Sequence, residues 1–370
     1  MKLAIKKTKT QLRKLVASIN KKLNTPQINQ CAKTWSEIDF KRDVTSITMK
    51  KQTKAFLNIG INGSSRIYKT DIELKDRLTC AANYKQYTSN AISSDKDVKG
   101  KRVSLVDFVR DAVIHHRTDN YGPCKMTLTQ DEINILNSQW RSNSKLNSSL
   151  GKFIAMVDTS GSMESDNSVP LYSAIGLGCR VAEKSALGKR VLTFSSTPSW
   201  VNLSSCNNFI DMVGSITKCQ WGFSTNFTAA LKLILDQVVL LKLPSSEVED
   251  MVLVVFSDMQ IDSNGNESIT DTMYKKIERM YYDAGIKVNG TPYSVPHILF
   301  WNLRPTNGFP NISTQRNTSM MCGFSPALLN NFCEKGMEAL KNMTPWVGMI
   351  ETLDNPRYNL DELNSLTESL

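Results

Sequence analysis

A chain of 370 residues, 41% hydrophobic and 22% charged, has a globular composition and room for one large domain or two ordinary ones. Its apolar runs, such as residues 238–241 and 251–256, are far too short to span a bilayer, and no apolar stretch follows the basic N-terminus as a secretory signal would require. The net charge of +10 is unevenly divided: residues 1–150 carry 28 Lys and Arg against 13 Asp and Glu, and residues 151–370 carry 17 against 22.

In chain order, residues 8–23 place Leu12, Leu15, Val16, Ile19 and Leu23 at helical spacing, with Lys and Arg on the opposite face. Residues 35–56, with Ile38, Phe40, Val44, Ile47 and Met49, read as a second helical region, and 84–94 and 103–116 as further helices. Thr129-Gln-Asp-Glu132 has capping-box spacing and starts a helix through about Trp140. The polar, Ser- and Asn-rich stretch 141–149 reads as a linker. The expected division is a basic, mainly helical region over 1–145, an α/β domain over 150–336 and a C-terminal helical tail over 337–370, packed back on the α/β domain.

After the linker the rhythm changes. Strands are expected at 152–157, 191–195, 251–256, 297–301 and 319–322, and a hairpin partner at 200–203 follows the turn Thr197-Pro-Ser. Helices are expected at 169–183, 209–216, 226–241, 268–284 and 326–336. Alternation of helices with strands that are apolar on both faces predicts a doubly wound, mostly parallel sheet. Such sheets bind ligands at the carboxyl ends of their strands.

The first strand runs into Asp158-Thr-Ser160-Gly-Ser162, a carboxylate followed by two hydroxyls at two-residue spacing. Two more predicted loops fall on the same edge. One carries Thr225, just before a helix, where an N-cap is the competing role. The other carries Asp258, after the apolar strand 251–256, where a turn or helix cap competes. Together these residues offer hard oxygen donors from three loops, a set suited to Mg²⁺, with Mn²⁺ or Ca²⁺ as alternatives.

Here the sequence resembles the von Willebrand factor A domain with its metal-ion-dependent adhesion site. The resemblance places Asp158, Ser160, Ser162, Thr225 and Asp258 as the metal-binding set, with the serines and Thr225 coordinating directly and the two acids often acting through water. It implies a protein partner that supplies an acidic residue to the metal. A wider resemblance rests on Trp35-Ser-Glu-Ile-Asp-Phe, Trp221-Gly-Phe-Ser-Thr-Asn, Phe256-Ser-Asp-Met-Gln-Ile-Asp262, Leu299-Phe-Trp-Asn-Leu-Arg304 and Gly323-Phe-Ser-Pro. These stretches are similar to an uncharacterised family of plant, fungal and giant-virus proteins that joins a helical region to an A domain. That arrangement is similar to the Ro ribonucleoprotein, which implies RNA as an alternative partner.

The basic N-terminal half points to a polyanion at residues 1–150, RNA or DNA first, a membrane surface or acidic protein next. Its aromatics Trp35, Phe40, Phe56, Tyr68, Tyr84 and Tyr87 suit a core or stacking platforms equally. Catalysis is not expected. Asp158-Thr-Ser-Gly departs from the aspartic-protease motif, position 160 is not the Asp of a dehalogenase-type phosphatase, and no nucleophile elbow or P-loop is present. A metal-dependent hydrolase is the remaining enzyme reading. The three histidines are expected to be structural. Eight scattered cysteines without C-x-x-C spacing read as free thiols in a reducing, intracellular setting, the cytoplasm or a virion and its host. Near the site edge, Trp301 is expected in the core and Arg304 as an ion-pair partner or an attractor of acid. Glu164 and Asp262 are expected as solvated acids.

Overall fold

The computed structural model describes residues 2–60, 66–94, 96–116, 128–145, 147, 149–194, 197–219, 226–259, 271–304, 317–323, 350 and 353–354. The chain forms two compact units, residues 1–146 with 208–214, and residues 147–207 with 215–370.

The first unit is helical: α1 (Lys2–Lys22), α2 (Pro26–Ala32), α3 (Ser46–Phe56), α4 (Asp71–Ser93), α5 (Leu105–His116) and α6 (Gln130–Ser144). Hydroxyl caps start three of them. Thr45 accepts from Thr48 N and Thr70 from Glu73 N. The expected capping box forms, with Thr129 N donating 2.9 Å to Glu132 Oε2. Two expectations are corrected. Residues 38–45 are not helical, because Asp39 Oδ1 accepts from the backbone N–H of Lys41 and Arg42 at 2.9 and 3.0 Å, and a local carboxylate turn outcompetes the helix. The supposed linker is still helix through Ser144. There Ser142 accepts from Gly100 N at 3.2 Å, and Asn143 donates to the carbonyls of Lys101 and Val103, each at 3.2 Å. Those polar side chains satisfy buried backbone instead of solvent.

Phe40, Phe56 and Tyr84 are buried and mutually in ring contact at 4.9–5.4 Å, with Trp35 and Tyr87 packed around them. Phe40, Phe56, Tyr84, Trp35 and Tyr87 therefore belong to a core cluster, while Tyr68 is half-buried and outside it, its hydroxyl paired with Asn58 Oδ1. Phe209, in the 208–214 segment, stacks on Trp140 at 3.8 Å.

The second unit is α/β. Its sheet runs in the order β3 (Trp200–Asn202), β2 (Arg190–Phe194), β1 (Phe153–Asp158), β4 (Val252–Ser257), β5 (His297–Asn302), β6 (Thr318–Cys322). All neighbours are parallel except the β2–β3 hairpin. Helices α7 (Ser165–Lys184), α9 (Phe227–Leu240), α10 (Ser245–Glu249) and α11 (Asp271–Asn289) belong to this unit; of α8 (Phe209–Thr217), residues 209–214 cluster with the first unit. The fold is the expected doubly wound, mostly parallel sheet. Every residue of β4 is buried, and each such Val, Leu or Phe contributes about 1.5–3 kcal/mol. Gly178 lets α7 lie against β1: a Cβ there would sit 2.5 Å from Val157 Cγ2. The expected helix at 326–336 and tail at 337–370 lie outside the described residues, apart from Ile350, Leu353 and Asp354.

Candidate metal centre

The strand order reverses between β1 and β4, which opens a crevice beyond their carboxyl ends. Asp158 ends β1 there, and Asp258 follows the last residue of β4. Both carboxylates are fully buried. Asp158 Oδ1 accepts from Ser160 N at 2.9 Å, and Oδ2 accepts from Ser257 Oγ at 2.5 Å. Ser257 also accepts from Met259 N at 3.1 Å. It thus ties the two loops together, a role the sequence did not announce because a Ser at a strand end has many uses.

Burial pushes the Asp158 carboxyl up to about 6; the hydrogen bonds from Ser257 and Ser160 oppose the rise, and the charge of Asp258 adds to it. A cation at this crevice would relieve both the desolvation and the like-charge repulsion.

Ser160 stands at the N-cap position of a 3-10 turn, Gly161–Glu164, yet its side chain caps nothing. Its Oγ lies 3.1 Å from Ser162 Oγ instead. Adjacent ligands of an octahedral Mg²⁺ at about 2.1 Å are about 3 Å apart. The hydroxyl pair therefore fits one edge of such a coordination sphere, and the donor set is wholly oxygen. Beyond the turn the backbone is left-handed at Asp166, Asn167 and Ser168 before α7 becomes regular.

Arg304 follows β5 and reaches the same edge. Its Nη1 is 3.8 Å from Asp258 Oδ2 and its Nε 3.4 Å from Asp166 Oδ2. The guanidinium thus takes the ion-pair role. Trp301 is core, fully buried, and donates from Nε1 to the Gly323 carbonyl at 2.7 Å. Glu164 is exposed. Thr225, Trp221 and Asp262 lie outside the described residues, but the cap of α9 is Asn226, whose side chain accepts from Ala229 N at 3.0 Å. The capping role considered for Thr225 is thus filled by its neighbour. Among the described residues, no group of three or more His, Cys, Asp or Glu side chains is gathered for a metal; the set here depends on hydroxyls.

The histidines have structural partners. His116 Nε2 lies 2.8 Å from the Ile210 carbonyl, and His297 contacts Asn317 Oδ1 and Ser319 Oγ at 3.0 and 3.1 Å. His115 packs edge-on against His116. Among the described residues, six cysteines are free thiols. Among the described residues no helix is long and apolar enough to cross a membrane.

Residues 152–359, more than half of the chain and including every candidate site residue, match the model of a domain of unknown function, DUF7788. The chain belongs to this family. A relative is the uncharacterised protein L728 of Acanthamoeba polyphaga mimivirus, 26% identical over 351 residues, in keeping with the giant-virus resemblance. The match covers 93% of this chain, which spans 55% of the length of that relative. Among solved structures, the Deinococcus radiodurans Ro (RSR) protein overlays with a TM-score of 0.42 at 13% identity, covering 80% of this chain and 54% of that one. Proximal thread matrix protein 1 from the mussel byssus overlays with a TM-score of 0.32 at 11% identity, covering 51% and 47%.

Proposed function

We propose that this DUF7788 protein binds a divalent cation, Mg²⁺ first and Mn²⁺ or Ca²⁺ as alternatives, and through it an acidic group of another protein, as the adhesion site of von Willebrand A domains does. The observation that carries this reading is the juxtaposition of buried Asp158 and Asp258 with the Ser160–Ser162 hydroxyl pair, whose 3.1 Å spacing suits one cation edge. Ser160 and Ser162 would coordinate, Thr225 would join them, and the two acids would supply charge, leaving a position open to the partner's carboxylate. The activity is binding rather than catalysis, in an intracellular setting.

Calorimetry with Mg²⁺ and Mn²⁺ on the wild type and on Asp158→Ala tests it. Heats of binding in the wild type that vanish in the variant are expected; equal heats in both would remove the metal reading. A pull-down with and without chelator then identifies the partner.

The excess of 28 cations over 13 acids in residues 1–150 favours a second contact, with a polyanion such as RNA. The burial of Phe40, Phe56 and Tyr84 removes most of the stacking surface and favours charge as the source of that contact, so affinity should fall steeply with salt. Absence of RNA retention at low salt would exclude it.

A further inference from the structure

Helix α1, together with Leu23 just after its last residue, carries an apolar stripe. Ile5, Leu12, Leu15, Val16, Ile19 and Leu23 are each between 45% and 67% exposed. At 100° per residue these six side chains fall within an arc of about 100°. The remaining circumference holds Lys6, Lys7, Lys9, Arg13, Lys14, Lys21 and Lys22, without a single acid on the helix.

Two properties of this arrangement select the occupant. The cations are unbalanced within the helix: Lys6 and Lys9 are three apart, Lys9 and Arg13 four apart, spacings at which like charges destabilise a helix. No acid stands in the first turn to offset them. A negatively charged surface supplies the missing counter-charge. The stripe demands more than charge, however. A nucleic-acid backbone would neutralise the cations and leave six apolar side chains in water, whereas an anionic bilayer takes both faces at once. Its headgroups meet the cations and its acyl boundary receives the stripe.

We propose that α1 is a membrane-surface anchor that lies in the plane of an anionic bilayer, its apolar stripe buried to the acyl boundary. This inference is independent of the metal centre and stands or falls without it.

Vesicle sedimentation of the full chain tests it, with phosphatidylcholine vesicles with and without phosphatidylserine. Two variants separate the contributions. Leu15→Gln with Ile19→Gln removes apolar surface at constant charge with a good helix former. Lys6→Gln with Lys9→Gln and Arg13→Gln removes charge and keeps the stripe. The altered side chains are exposed, so folding is unaffected. The expected result is binding to the phosphatidylserine vesicles only, weakened at least tenfold by either variant. Binding that ignores the stripe variant would reduce the effect to Coulomb attraction and overturn the proposal. Failure to sediment, equal binding to both vesicle types, or retention on RNA but not on vesicles would overturn it as well.

Discussion

Ser257 donates its hydroxyl to Asp158 Oδ2 across 2.5 Å and so joins two strand ends that lie 99 residues apart in sequence. Ser257→Ala removes this hydrogen bond. A buried, charge-assisted bond of this kind contributes about 1.5–3 kcal/mol. The variant should lower the urea midpoint by a corresponding amount at unchanged slope and weaken divalent-cation binding by freeing the Asp158 rotamer. Full stability would show that the bond is not formed.

If the hydroxyl pair coordinates a cation, saturating Mg²⁺ should stabilise the protein by mass action, by about 2.7 kcal/mol at a concentration 100 times the dissociation constant. Ser160→Ala and Ser162→Ala should each shrink this gain, measured against the chelator-treated stability of the same variant. Urea titrations with Mg²⁺ and with chelator give both numbers.

Arg304 competes with a cation for the field of Asp258. Its guanidinium is partly exposed and 3.8 Å away, so the competition is modest, about 1 kcal/mol or fivefold in affinity. Arg304→Gln should therefore bind Mg²⁺ more tightly in calorimetry. Weaker binding would instead make Arg304 a support of the site.

The raised Asp158 carboxyl has a signed consequence. A carboxyl whose folded pKa of about 6 exceeds the ordinary aspartate value of 3.8 binds protons more readily in the folded state. Its contribution to stability is complete below the unfolded value and is lost as pH rises through the folded one. In chelator, the stability of the wild type relative to Asp158→Asn should fall between pH 4 and pH 7 and level off above, which denaturation at a series of pH values checks.

Gly178→Ala places a methyl 2.5 Å from Val157 Cγ2. Val157 precedes Asp158, so α7 or β1 must shift beside the site. Overpacking of this kind costs about 1–3 kcal/mol. A thermal-denaturation midpoint unchanged by the substitution would show that the side chain of Val157 yields freely.

Much of the sheet was legible because its strands are short, apolar and bounded by turn residues. Residues 251–256 announced β4 within one position, and Thr197-Pro-Ser announced the hairpin. The helices were less so. Residues 71–83 of α4 alternate charge with Leu and Ile without a clean stripe, and Ile72 and Leu78 are in fact exposed, so tertiary packing rather than periodicity sets that helix. Asp39 and Asn143 show a complementary failure: a polar side chain reads as solvent-facing until its backbone partners are known. At the site, Asp158, Ser160 and Ser162 carried their spacing in sequence. Ser257 and Arg304 act through neighbours brought by topology, which spacing does not encode.

The reversal of strand order between β1 and β4 also has a kinetic meaning. Asp158 and Ser257 meet only after a chain segment of nearly 100 residues has closed, so the centre is among the last features of the second unit to be assembled. A cation held there would clasp the most distant pairing in the sheet. It should slow amide exchange along β1 and β4 more than along β3 or β6, so that occupancy is recorded in the lifetime of the sheet's middle and leaves its edges unchanged.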